Sequence, residues 1–243
     1  MTVYCINKRS LYHHETQTNY RRLWYVRYAD DFLLGLAGPK NEAVRIKHEI
    51  AQYLSNELKL ELNADKTFIT NASSQKAKFL GHEVHILQED SKHDPNGRRC
   101  IINGNIGLRV PTKVIQEQCK KYMKNGKPIH RSQCTIDDAY IIVSQYQAEY
   151  RGVVQYYRMA YNLHTFSKLR YMTEVSLVKT LASKYRTTCA KIYKKYGATI
   201  KTNEGNRKVI LVKRDNKLRK PLITHFGGIS LKWNKWASIS NNL

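Results

Sequence analysis

The chain has 243 residues, room for one large domain or two small ones, and 42% of them are hydrophobic, enough for a real core. Its 42 Lys and Arg against 19 Asp and Glu leave a net charge of +23, and self-repulsion on that scale needs an acidic partner, nucleic acid being the common one and a membrane surface the rival. No apolar run is long enough to span a bilayer, and Met1–Tyr20 is too mixed and polar for a secretory signal, so a spanning or secreted protein is not expected.

The five cysteines, Cys5, Cys100, Cys119, Cys134 and Cys189, are odd in number and never fall at CxxC spacing, which argues against a disulfide framework or a zinc site and fits a reducing compartment. Charge is divided very unevenly. Residues 1–90 hold 12 basic and 11 acidic residues, a net of +1; residues 91–243 hold 30 and 8, a net of +22. This step is the best domain boundary in the sequence, and it falls in the turn-rich stretch Gln88–Gly97. The expected organisation is a first domain over 1–90, a linker over 91–110 and a basic domain over 111–243. No internal repeat is visible.

In the first half, Leu23–Tyr28 and Phe32–Ala37 bracket Ala29-Asp30-Asp31 as a β-hairpin would. Gly38-Pro39 ends the second strand. Asn41 is the expected cap of a helix to Leu58, with Ala43, Ile46, Ile50, Tyr53 and Leu54 on its apolar face. Leu60–Leu62, Thr67–Ile69 and Phe79–Ile86 read as strands, the last with Gly81 allowing a bulge. The second half reads mostly as helix: Pro111 in the first turn of a helix to Met123, Thr135 capping another to about Tyr161, and a third over Ser167–Tyr196. Lys208–Lys213 has strand character, and the tail from Lys217 reads as basic and turn-rich.

Tyr25-Val26-Arg27-Tyr28-Ala29-Asp30-Asp31-Phe32-Leu33-Leu34 is the most informative segment. Two adjacent carboxylates between apolar strands repel each other, and a divalent cation removes that cost. Mg²⁺ held by one or two carboxylates and substrate phosphates is the usual device for transferring a nucleotidyl group. A tight hairpin presents Asp30 to such metals, with Asp31 supporting it from the next position.

This segment resembles the YADD motif of group II intron reverse transcriptases. Leu58–Thr67, ending in Lys66-Thr67, resembles the next block of that family, and Phe79-Leu80-Gly81 the following FLG block, in the family's order and at suitable separations. Ser144–Asn162, Ser176–Ala182, Phe226–Ile229, Ile102–Leu108 with Val110-Pro111, and Asn125–Pro128 resemble its maturase-specific domain X, the thumb. The resemblance covers about residues 20–235 and leaves 1–19 unassigned. It implies an α+β chain: a partial polymerase palm, an antiparallel sheet with a helix, followed by a mainly helical thumb.

By the same resemblance, Asp30 and Asp31 are metal-binding catalytic acids, Tyr28 and Ala29 the substrate side of the hairpin, Lys66 a phosphate contact, and Phe79, Leu80 and Gly81 supports for the primer strand. The third catalytic Asp of such enzymes belongs to an earlier strand. Only 29 residues precede Asp30 here, with Glu15 the one acid among them, so polymerase activity with Mg²⁺, a DNA primer and dNTPs is expected only if a separate N-terminal piece or a second copy completes the site. The C-terminal Cys-rich nuclease segment of bacterial relatives has no counterpart, and DNA cleavage is not expected.

In the basic half, Tyr146, Tyr150, Val153, Tyr157 and Tyr161 can share one helix face, where core packing competes with stacking on bases. Arg151 and Arg158, seven apart, suit phosphates. Lys179, Lys184, Arg186, Lys191, Lys194 and Lys195 form a basic helix with few acids to balance it, which points to RNA. The expected function is a maturase that binds group II intron RNA and assists splicing, in a bacterial cytoplasm or an organelle and away from membranes. The alternatives are an RNA-directed DNA polymerase in completed form, or a truncated remnant.

Overall fold

The computed structural model describes residues 2–6, 22–87, 105–215 and 220–233. The turn-rich stretch 88–97 lies outside them. The chain divides into two compact units, Met1–Arg109 and Val110–Leu243.

In the first unit, β1 (Thr2–Ile6), β2 (Arg22–Tyr28), β3 (Asp31–Ala37) and β4 (Phe68–Asn71) form a sheet in the order β2-β3-β1-β4. β2 and β3 pair antiparallel from Tyr28↔Asp31 to Arg22↔Ala37, the expected hairpin. The sheet is nevertheless mixed, because β1 runs parallel to both β3 and β4. Helix α1 (Lys40–Leu58) packs Ala43, Ile46 and Ile50 against Leu34 and Leu36. Tyr53, expected on that face, is exposed.

Asn41 does not cap this helix. Pro39 occupies the cap position in an extended conformation, and its carbonyl accepts from the Glu42 and Ala43 N–H groups at 3.2 and 3.4 Å. At the other end Lys59 turns left-handed, and the Lys59 and Leu60 N–H groups both return to the Leu54 carbonyl. The chain here closes a helix, so Leu60–Leu62 forms no strand.

The single strand expected over Phe79–Ile86 is two, β5 (Ala77–Phe79) and β6 (His82–Ile86). Leu80 and Gly81 between them both have positive φ, 46° and 70°, the signature of a two-residue hairpin turn. β7 (Ile106–Arg109) pairs with β6, so residues expected in the linker belong to a sheet of the first unit.

The second unit begins with helix α2 (Thr112–Lys120), with Pro111 at its cap rather than in its first turn. The helix stops before Met123, because Asn125-Gly126 takes positive φ at both residues and joins two short strands, β8 (Met123–Lys124) and β9 (Lys127–Pro128). Helix α3 (Ala139–Tyr156) starts behind Asp138, not Thr135, whose hydroxyl is spent on the Ser132 carbonyl at 2.6 Å. α3 ends at Tyr156, short of Tyr161.

The long third helix is two, α4 (Ser167–Lys184) and α5 (Cys189–Tyr196). Arg186 breaks it at φ 48°, and the Thr188 side chain caps α5 by accepting from Lys191 N. A sheet of β10 (Gly197–Thr202), β11 (Gly205–Arg214) and β12 (Leu222–Gly227) follows, where strand character is expected only over Lys208–Lys213. β12 falls within the stretch read as a turn-rich tail.

α3, α4 and this sheet enclose the main core, in which Tyr146, Tyr150, Phe166, Leu177, Leu181 and Phe226 are almost wholly buried. Each such side chain contributes about 1.5–3 kcal/mol by leaving water. One polar clamp sits at the start of the unit. Asn162 is buried; its Oδ1 accepts from Val110 N at 2.8 Å and its Nδ2 donates to the Val110 carbonyl at 3.1 Å. Asn162→Ala strands both backbone groups, so unfolding in urea should show a loss of about 2–4 kcal/mol. An unchanged midpoint would mean that water replaces the amide at no cost.

Candidate catalytic hairpin and nucleic-acid interface

Two places merit a functional reading, one in each unit. In the first unit the β2–β3 turn places Ala29 at φ 53°, a conformation uncommon for a residue with a Cβ. The Arg27 side chain holds that turn, its Nε donating to the Ala29 carbonyl at 2.6 Å. Asp30 and Asp31 are exposed at the tip and the start of β3.

Both carboxylates line an open cleft of about 1010 Å³ that also receives Lys66, Phe79 and Leu80. Five residues singled out from three separate sequence blocks thus meet at one cavity. Tyr28, Ala29 and Gly81 do not line it. Lys66 is set by a 3₁₀ turn over Ala64–Lys66, in which its own N–H donates to Asn63 Oδ1 at 3.0 Å. Arg27, Lys76, Lys78 and Glu61 also line the cleft and were not singled out. For Arg27 the signal was present: strand alternation from Tyr25 puts it on the cleft side.

Paired carboxylates in a wet cleft suit a hard divalent cation that keeps much of its water. Among the described residues, however, no group of three Asp, Glu, His or Cys gathers as a metal would require. By itself the pair would supply only part of a ligand set.

In the second unit the tyrosine run resolves by burial. Tyr146, Tyr150 and Tyr157 belong to the core, while Tyr156 is exposed. The Tyr146 hydroxyl lies 3.1 Å from Ser176 Oγ and 3.0 Å from Thr180 Oγ1, which fastens α3 to α4. Arg151 and Arg158 are both exposed, but Arg158 lies beyond the end of α3, so a continuous helix does not relate them.

The six-residue basic helix is also divided. Lys179 donates to the Pro128 carbonyl at 2.7 Å and Lys184 to the Thr135 carbonyl at 3.0 Å; both hold the segment before α3 against α4. Arg186 is exposed at the break. Lys191, Lys194 and Lys195 are exposed on α5, at the three- and four-residue spacing that shares one face. Lys195 Nζ stands 5.2 Å from the centre of the Tyr185 ring and 5.1 Å from that of Tyr196, a cation–π arrangement that fixes its direction.

At the junction of α3 with the segment before it lies a polar hub that the sequence did not announce. Glu149 accepts from the Tyr122 hydroxyl at 2.6 Å, from Arg131 Nη1 at 3.0 Å and from Gln145 Nε2 at 3.2 Å. The Arg131 guanidinium also stands 5.2 Å from the Tyr146 ring centre. Burial pushes the Glu149 carboxyl up, but the bonds from Tyr122 and Arg131 and the Arg131 charge outweigh it and leave it below its ordinary 4.5.

A family model described as type II intron maturase matches residues 108–235. The chain belongs to the type II intron maturase family. The match coincides closely with the second unit. Among relatives of this maturase chain, the group II intron-encoded protein LtrA of Lactococcus lactis subsp. cremoris is 32% identical over 188 residues, covering 72% of the chain and 31% of LtrA. The COX1/OXI3 intron 1 protein of Saccharomyces cerevisiae is 34% identical over 206 residues, 78% of the chain and 24% of that protein. Maturase K of Palhinhaea cernua is 23% identical over 186 residues, 73% and 36%. The chain therefore spans about a quarter to a third of the length of these relatives.

The depressed carboxyl of Glu149 has a measurable consequence. A folded pKa below the unfolded one adds stability that is present above pH 4.5 and is lost as pH falls through the lower folded value. Glu149→Gln should flatten that acid limb of the stability curve and cost about 1–3 kcal/mol at neutral pH, because Arg131 loses its counter-charge. Thermal melts from pH 3 to 7 test this; parallel curves for the two proteins would remove Glu149 from the account.

Proposed function

We propose that this chain is a group II intron maturase, which binds its intron RNA through the second unit and so assists splicing of that RNA. The observation that carries the reading is the coincidence of the family match at 108–235 with the part of the chain that holds nearly all of the net charge. The polyanion is held at exposed cations, Arg151, Arg158, Arg186, Lys191, Lys194 and Lys195, while the buried tyrosines and the Glu149 hub keep the helices beneath them in place. Lys179 and Lys184 act by positioning, through their bonds to backbone carbonyls. The splicing chemistry belongs to the RNA.

The relatives include a bacterial protein and a mitochondrial protein of Marchantia polymorpha, which supports work in a bacterial cytoplasm or an organelle. No helix among the described residues is long and apolar enough to cross a membrane.

A second reading rests on the first unit's cleft. Asp30 and Asp31 would hold Mg²⁺ there, with further ligands from polypeptide and substrate beyond the described residues. The ion would supply charge neutralisation for nucleotidyl transfer, as in other phosphoryl transfers. Lys66 would meet a phosphate, and Phe79 and Leu80 would support a primer. This activity belongs to a completed palm, as in an RNA-directed DNA polymerase.

Two experiments test these readings. Binding of the host intron RNA, followed as salt is raised, should weaken steeply. The Lys191→Gln, Lys194→Gln, Lys195→Gln triple variant should lower the slope of log K against log salt by about 2–3, since each of the three lost phosphate contacts removes about 0.7–0.9 of a unit. Equal affinity for an unrelated RNA at moderate salt would refute maturase specificity. Asp30→Ala should leave that binding within about twofold but abolish primer extension by the completed protein, a role lost at a metal rather than in binding. Surviving extension would strip Asp30 of the assigned role.

A further inference from the structure

Near the end of α3 the second unit carries an exposed aromatic surface that the function above does not use. The chain after β12 returns along the core through Ile229 and Leu231 and then passes across the turn that follows α3. There the Trp233 indole N–H donates to the Met159 carbonyl at 3.3 Å, which fixes the ring, yet the residue is 48% exposed. Tyr156, one turn before Met159, is 58% exposed, and its ring stands edge-on to the buried Tyr157 at 4.9 Å. Arg158 and Lys232, both exposed, are chain neighbours of these groups.

Neighbouring exposed apolar groups rimmed by polar residues mark interaction sites, whereas single ones need no explanation. Here each is held by a neighbour, Trp233 through its indole N–H and Tyr156 against the Tyr157 ring, so little ordering is left to pay for when a partner arrives. Their neighbours are cations, in a unit whose overall charge is strongly positive. The partner that uses both features is a single strand of nucleic acid, which offers flat bases to the rings and phosphates to the cations. A duplex offers phosphates but keeps its bases stacked inside.

We propose that Trp233 and Tyr156, flanked by Arg158 and Lys232, form a stacking site for unpaired bases of a single-stranded RNA segment. The proposal rests on the RNA-binding reading above and adds to it the preference for unpaired RNA and the residues that impose it.

The test uses the full chain and two labelled probes, a 12-nucleotide single-stranded oligoribonucleotide and a duplex of the same length, with affinity followed by anisotropy. Trp233→Leu keeps apolar bulk but removes the stacking face. It should weaken single-strand binding by about 5- to 100-fold and leave duplex binding within about twofold. Trp233→Phe keeps a ring but loses the indole hydrogen bond, and should retain affinity within about threefold. Neither change should alter the salt slope, whereas Arg158→Gln with Lys232→Gln should reduce it.

Equal loss for both probes, or equal loss with Leu and Phe, would overturn the stacking site. Unchanged single-strand affinity with a lowered melting temperature would assign Trp233 to packing instead. If the unaltered chain binds the host intron RNA but neither probe, or if Trp233→Leu binds the single strand as well as the unaltered chain does, only the stacking site falls; if it binds neither the probes nor the intron RNA, the RNA-binding reading falls with it.

Discussion

A single carboxylate, that of Glu149, accepts hydrogen bonds from three side chains that approach from different parts of the second unit. Tyr122 follows α2, Arg131 stands in the segment that crosses to α3, and Gln145 lies one turn earlier on α3 itself. In a half of the chain with only 8 acids among 153 residues, placing one of them at this junction is a strong constraint. It neutralises the partly buried Arg131 and gives Tyr122 an acceptor. Arg131 N in turn donates to Thr180 Oγ1 at 3.0 Å, which carries the connection on to α4. α3 and α4 thus share a polar interior and are not held by apolar packing alone.

This arrangement separates two uses of positive charge. Lys179, Lys184 and Arg131 are spent inside the fold, on backbone carbonyls and on Glu149. Lys191, Lys194 and Lys195 remain at the surface of α5. A sum of charges cannot distinguish these groups, although one set shapes the unit and the other faces the solvent. The first unit differs in kind: its acids Asp30 and Asp31 sit at a hairpin tip over a cleft whose rim carries Arg27, Lys66, Lys76 and Lys78.

Legibility in the sequence followed the range of the interaction. The hairpin around Ala29-Asp30 was readable because strand alternation and a two-residue turn are local. So was α1, apart from its cap, where the Pro39 carbonyl did the work expected of an Asn41 side chain. The α4–α5 break was missed because no Gly or Pro marks it; Thr188 before Cys189 was the available capping signal, and helical periodicity on both sides concealed it. β12 was missed because Leu222-Ile223-Thr224 sits among basic, turn-forming residues, although its β-branched content was a fair strand signal. The meeting of Asp30, Lys66 and Phe79 in one cleft came from motif order, since pairing of strands distant in sequence has no local signature. The Glu149 hub was invisible for the same reason.

The break between α4 and α5 is bonded throughout. The Tyr185, Arg186 and Thr187 N–H groups donate to the Leu181, Ser183 and Ala182 carbonyls at 3.0, 3.2 and 2.9 Å. It is therefore a rigid elbow and not a hinge. Lys195 is steadied further between two tyrosine rings. A ligand meeting this face finds a fixed backbone and the Lys195 cation already oriented, so association need not freeze a loose arm, and the entropy of binding is governed more by released counterions than by ordering of the backbone.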